Sequence, residues 1–179
     1  MTAVVSLPCM RVIVSIVLWA FSACSVLAAP ADDLLVQGRA ALKLMDIPAA
    51  MSHFDNALKA DPKHPAAAYE RGRILLIIGE AKGAVADFTT AVLGDPKFGL
   101  AFARRGEALM LLKDAEAAFA DFEMAVQASP KVAEVFVVRA TYRFRIGNLA
   151  GAKSDMESAL KVADENQAPA LRKMLERMR

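Results

Sequence analysis

Small and large apolar residues return every 34 positions along this chain, and that period restricts the fold more than any other feature. Gly38, Gly72, Gly106 and Ala140 form one column, and Ala50, Ala84, Ala118 and Ala152 form a second. Phe54, Phe88, Phe122 and Met156 make a large apolar column, Ala57, Ala91, Ala125 and Ala159 a small one, and Pro62, Pro96 and Pro130 close three of the four units. Five matched columns over four copies define a repeat architecture in which each unit is one supersecondary element. A single unit cannot bury its apolar face alone, so stacked copies must share a continuous core.

Within each unit the apolar residues recur at helical spacing in two runs divided by a short turn, which predicts an antiparallel helical hairpin. The four hairpins are expected at about 32–45 with 48–60, 65–78 with 81–93, 99–112 with 115–128, and 132–146 with 149–163. Pro48 falls in a first turn, where its missing N–H has no intrahelical partner to lose. Gly79 and Gly147 sit between paired helices, where a positive φ is useful, whereas Gly83 and Gly151 lie in first turns and each costs about 1 kcal/mol relative to alanine. A ninth helix is expected near the C-terminus. Leu171, Met174, Leu175 and Met178 make an i, i+3, i+4, i+7 stripe backed by Arg172, Lys173, Glu176, Arg177 and Arg179. Such a stripe suits a cap over the open end of the fourth unit.

These columns resemble the tetratricopeptide repeat family, whose pattern has a small residue at unit position 8, alanine at 20, an aromatic at 24, alanine at 27 and proline at 32. The match covers about residues 31–166. It implies an all-α, right-handed superhelical stack of four such units plus the C-terminal capping helix, with a repeat domain at 29–166 and the cap at 167–179. The column where the family often has Trp reads Leu34, Ala68, Phe102, Phe136, so the second unit is expected to be lightly packed there. The fourth unit has Asp164 in place of the closing proline.

Residues 1–28 hold one basic residue, Arg11, and no acidic one, followed by an apolar run from Val12 to Phe21 and small residues up to Ala28. This is the layout of a secretory signal peptide, and Val26 with Ala28 satisfies the small-residue rule for a cut after Ala28. An uncleaved leader would be an N-terminal anchor, Val12 to Ala31 being about long enough to span a bilayer. Cys24 after Phe21-Ser22-Ala23 is a third option, as a loose lipoprotein box. All three place the repeats outside the cytoplasm, periplasmic or secreted, and membrane association is expected only if the leader stays or Cys24 is lipidated.

Both cysteines, Cys9 and Cys24, lie in the leader, so the cleaved product has neither a disulfide nor a thiol nucleophile. Loss of Arg11 leaves 21 basic residues against 20 acidic ones, a balance that gives no general attraction to nucleic acid. The two histidines, His53 and His64, stand apart from any metal-ligand spacing, and no phosphate loop or nucleophile motif occurs. No metal, cofactor or catalytic residue is expected, and the chain is read as a binding protein rather than an enzyme.

One polar pattern stands out. Arg71, Arg105 and Arg139 share a column normally apolar in the family, and the same three units carry Asp87, Asp121 and Asp155, while the first unit replaces both members by Gln37 and His53. The joint change implies pairing, either within each hairpin or from one unit to the next, where Asp155 would meet Lys173.

The family resemblance implies a concave groove lined by the first helix of each hairpin. Carried onto this chain, it gives Leu35, Arg39, Tyr69, Arg73, Leu76, Met110, Leu111 and Phe144 as candidate partner-binding residues. The column Leu76, Met110, Phe144 would form an apolar floor, and Arg39 with Arg73 would orient a carboxylate. The clamp that binds chaperone tails reads Leu35, Arg39, Glu70, Leu100 and Arg104 here, without its Lys and Asn, so that activity is unsupported. Two functions follow: an exported scaffold binding a peptide or helix of an envelope protein in its groove, or a structural, oligomeric spacer whose groove is self-covered. The first implies a monomer with a free groove, the second a concentration-dependent oligomer.

Overall fold

The computed structural model describes residues 30–178, and all of its regular structure is helical. The expected leader, with its cleavage site and Cys24, lies outside the described residues. Four hairpins follow one another: α1 (Ala31–Lys43) with α2 (Ile47–Ala60), α3 (Pro65–Ile77) with α4 (Ala81–Gly94), α5 (Gly99–Leu111) with α6 (Ala115–Ala128), and α7 (Ala133–Arg145) with α8 (Leu149–Val162). α9 (Ala168–Glu176) comes last. Each helix packs on its hairpin partner and on the start of the next hairpin, and the first helices also touch along the stack, α1 with α3, α3 with α5 and α5 with α7. α9 lies against α8, with Leu171 buried and Met174, Leu175 and Met178 seated on the main core.

Local chemistry explains the regular turns. Asp46, Asp114 and Asn148 occupy equivalent positions before the second helix of a hairpin, and each side chain accepts a backbone N–H in the first turn, from Ala49, Ala117 and Gly151. These caps satisfy donors that the helix leaves open. In all four hairpins the residue just before this cap position has positive φ: Met45 at 60°, Gly79 at 87°, Lys113 at 65° and Gly147 at 82°. Every hairpin therefore uses one left-handed residue, and two of the four are not glycine. Left-handed backbone is costly for a residue with a Cβ. Lys113→Gly should accordingly raise stability by about 1 kcal/mol, offset in part by the greater freedom of glycine in the unfolded chain. A urea titration measures it.

The small and large columns meet inside each hairpin. A Cβ at Gly106 would lie 2.6 Å from Phe122 Cε1, 2.9 Å from Cδ1 and 3.1 Å from the Ala118 carbonyl oxygen, and Gly38 and Gly72 stand in the same relation to Phe54 and Phe88. The aromatic ring thus packs directly on bare backbone. In the last hairpin the pair becomes Ala140 and Met156, both fully buried. An unbranched, flexible side chain replaces the ring where a methyl group has taken its space. Gly106→Ala should cost about 1–3 kcal/mol in spite of its better helix propensity, because the ring is forced off its backbone. Adding Phe122→Met should recover most of the loss. If the double variant melts no higher than the single one, the fit of ring to glycine described here is wrong.

Ala68, at the column expected to be lightly packed, is fully buried. Aromatic volume comes instead from Tyr69, whose ring lies 4.6 Å from that of Phe98 and 5.9 Å from that of Phe88.

Candidate functional site

A groove of about 540 Å³ opens on the face formed by the first helices of the second, third and fourth hairpins. Its apolar lining comes from Leu76 of α3, Met110 and Leu111 of α5, and Val137 and Val138 of α7. Phe122 and Tyr142 also line it, their rings 5.2 Å apart. The charged lining consists of Arg104, Glu107 and Glu134 together with Arg145. Arg104 donates from Nη1 to Glu107 Oε2 at 2.8 Å and from Nη2 to Glu134 Oε1, so it bridges α5 and α7. The desolvation of Arg104 is more than offset by these carboxylates, which hold its pKa above the ordinary value. Arg145 is exposed in the last turn of α7, and among the described residues it has no ion-pair partner.

The candidate residues divide into three groups. Leu76, Met110 and Leu111 line the groove as expected of their column. Leu35 and Tyr69 do not: they are 6% and 7% exposed and belong to the core. Leu35 packs in the N-terminal cluster of Phe54 and Ile74, and Tyr69 in the main cluster with Phe88. Burial also raises the Tyr69 phenol pKa, with Arg104 opposing the shift. Their column is buried in the first three hairpins, at Leu35, Tyr69 and Ala103, and reaches the groove only in the fourth, where Val137 occupies it.

Phe144 shares a column with Leu76 and Met110 and is half exposed, but it does not line the groove. Leu76 and Met110 each have a following first helix beside them, α5 and α7. Among the described residues no further first helix packs beside α7, since α9 packs on α8.

Arg39 and Arg73 are the third group. The expected carboxylate orientation is already fulfilled by the chain itself: Arg39 Nε donates to Glu70 Oε1 at 2.9 Å and Arg73 Nη1 to Glu70 Oε2 at 2.8 Å. Glu70 is buried, and two guanidinium groups compensate its charge. A ligand carboxylate would have to compete with it. The sequence gives no signal for this partner, because Glu70 stands in a column that reads Val36, Glu70, Arg104, Val138 and shows no repeat.

The Arg/Asp columns pair within hairpins. Arg71 grips Asp87 through Nε and Nη2 at 2.8 and 2.6 Å, Arg105 grips Asp121 at 2.7 Å twice, and Arg139 grips Asp155 at 3.0 and 2.6 Å. The remaining Nη1 reaches back to the preceding unit, to Asp55, Thr89 and Glu123 in turn. Arg143 adds a second guanidinium to Asp155 and Glu123, so Asp155 pairs with Arg139 and Arg143 rather than with Lys173. The hydrogen bonds that Arg71 donates to Asp87 hold its pKa above the ordinary value. These arginines fasten units together and are unavailable as ligand contacts. Among the described residues no three His, Cys, Asp or Glu side chains come together in a group that could hold a metal ion.

A stack of antiparallel hairpins with an open inner face is an interaction scaffold of the helical-repeat class. Comparison with known proteins places it further. A sequence profile described as "Tetratricopeptide repeat" matches residues 35–95 and again 78–133, and the chain belongs to that family. No curated protein matches it in sequence. Among solved structures, the thermophilic TPR protein TTC0263 of Thermus thermophilus superposes with a TM-score of 0.70 at 23% identity, covering 83% of this chain and 80% of that one. MamA from Desulfovibrio magneticus RS-1 (residues 41 to end) gives 0.64 at 19% identity over 83% and 82%. A chain of the APC/C hetero-tetramer Cut9–Hcn1 gives 0.68 at 19% identity, over 82% of this chain but 30% of its own. At these identities the likeness concerns the fold.

Proposed function

We propose that the protein is an exported scaffold that receives an apolar peptide or helix of an envelope protein in the groove between α3, α5 and α7. The observation that carries this reading is the groove itself: an apolar lining of Leu76, Met110 and Leu111 left open to solvent, with Arg145 beside it. Apolar surface of this kind marks binding sites, and methionine suits a floor that must accept varied side chains. Because Glu70 occupies Arg39 and Arg73, the acidic group of the ligand is assigned to Arg145, which can hold a carboxylate in a bidentate contact. Export rests on the leader: a mature N-terminus at Ala29 is expected, whereas a start at Met1 indicates an anchor and a lipid on Cys24 a surface-tethered form.

The test uses the purified protein as bait in an envelope extract, beside Met110→Asp and Arg145→Glu baits. The expected result is a protein retained by the native bait and lost from both variants, with far-UV spectra unchanged. Equal retention by all three would remove the groove as the binding surface.

A further inference from the structure

The two ends of the stack differ. α9 covers the C-terminal end with Leu171 and its neighbours, but nothing among the described residues covers the outer stripe of α1. With Leu35, Gly38 and Ala41 facing the core, the helical period places Asp33, Val36, Ala40, Lys43 and Leu44 on the opposite side. All five are exposed. Val36 and Leu44 are 64% and 81% accessible, and Met45 beside them 80%. Large apolar groups are here presented at an end where a repeat stack needs either a polar cap or a neighbour.

The charges on this stripe identify the neighbour. Asp33 stands at one end and Lys43 at the other, with Val36 and Ala40 between them. The polar contacts of α1 run elsewhere, from Arg39 to Glu70 and from His64 Nε2 to Asp32, so among the described residues the acid and base of the stripe are left available. An antiparallel two-fold contact centred midway between them, at Gly38, brings the charged and small apolar residues of the stripe opposite one another and leaves Leu44, which falls opposite Asp32, at its edge. Asp33 of one copy then meets Lys43 of the other, twice, and Val36 meets Ala40, twice. The two charges are about 15 Å apart along one helix, the same in each direction. A self-complementary patch is what an isologous dimer requires.

We infer that a second copy of this chain occupies the outer face of α1, giving a two-fold dimer joined at the N-terminal hairpins. The groove between α3, α5 and α7 lies on later hairpins and stays open in this dimer, unlike the groove of a self-covered spacer, so two copies of the binding surface are presented together and it is the free groove, not the monomeric state, that marks the scaffold. Small alanine at the centre permits close helix approach, and the paired charges fix register and direction.

Sedimentation of the purified protein over a wide concentration range tests the inference. The expected result is a reversible monomer–dimer equilibrium. Asp33→Lys or Lys43→Asp alone, which places like charges opposite each other at both contacts, should weaken association about tenfold or more. The exchange Asp33→Lys with Lys43→Asp should restore it. The same charges favour the α1 dipole in the monomer, so Ala40→Glu serves as a variant that blocks the centre without reversing the helix ends, and it should also dissociate the dimer. A native protein that stays monomeric, its α1 face covered by its own N-terminal segment or simply solvated, overturns the inference. So does a dimer indifferent to these substitutions.

Discussion

Truncation of Phe122 to alanine is expected to destabilise the protein by about 3–5 kcal/mol. Phe122 is almost wholly buried, packs on the bare backbone of Gly106, and contacts Tyr142 in the next hairpin. Its removal leaves a void that neither side can fill: Gly106 has no side chain to move in, and Ala118 and Ala125 nearby are fixed in their helices. Because a domain of this size has a total stability of about 5–15 kcal/mol, the loss should appear as a large fall in the midpoint of a urea titration. The same ring lines the groove, so bait prepared from this variant should also lose its partner. Enlarging Ala118 to leucine should overfill the same contact and cost about 1–3 kcal/mol by wedging α5 from α6. A melt unchanged by either substitution would contradict the packing described.

The second large effect concerns Asp121. Its buried carboxylate takes two hydrogen bonds from Arg105, whose third contact is the neutral hydroxyl of Thr89. In the units on either side that contact is a carboxylate, Asp55 or Glu123. Asp121→Ala therefore strands a largely buried guanidinium with no anion, at a cost of about 3 kcal/mol or more. Asp87→Ala should be milder, since Arg71 retains Asp55. Pairing Asp121→Ala with Arg105→Met should recover much of the loss, because an apolar side chain of similar length needs no counter-charge. A double-mutant cycle on Arg105 and Asp121 measures the coupling, and a value near zero would return both groups to solvated surface. Replacing Thr89 with glutamate should lessen the effect of losing Asp121.

Packing columns were legible as columns because a ring that packs on glycine needs the same two residue types in every copy, although the large residues were expected between neighbouring hairpins and the structure sets each ring on the glycine of its own hairpin. The change from Gly and Phe to Ala and Met in the fourth unit shows the coupling in one chain. Pairing of the Arg and Asp columns could be read, but their register could not, since a partner within the hairpin and a partner in the next unit predict the same columns. The bidentate geometry at 2.6–3.0 Å decides for the hairpin, with the spare Nη1 directed to the previous unit.

The candidate site was harder to read for a related reason. A groove exists between units, and its lining depends on how far each first helix is turned relative to the next. Leu76 and Met110 have a following first helix beside them, whereas Phe144 has none to face. Tyr69 turns inward beside the small Ala68, although the column it occupies lines the groove at Val137. Glu70, outside any repeating column, takes up Arg39 and Arg73. The sequence by itself determined the hairpins, their number, the columns of small and large residues and the capping stripe, all set by local periodicity and volume, while the packing of each ring on the glycine of its own hairpin came from the tertiary structure. Only the tertiary structure decided which polar groups remain free to meet a ligand, because charge compensation of a buried carboxylate depends on neighbours from different units brought within hydrogen-bond reach.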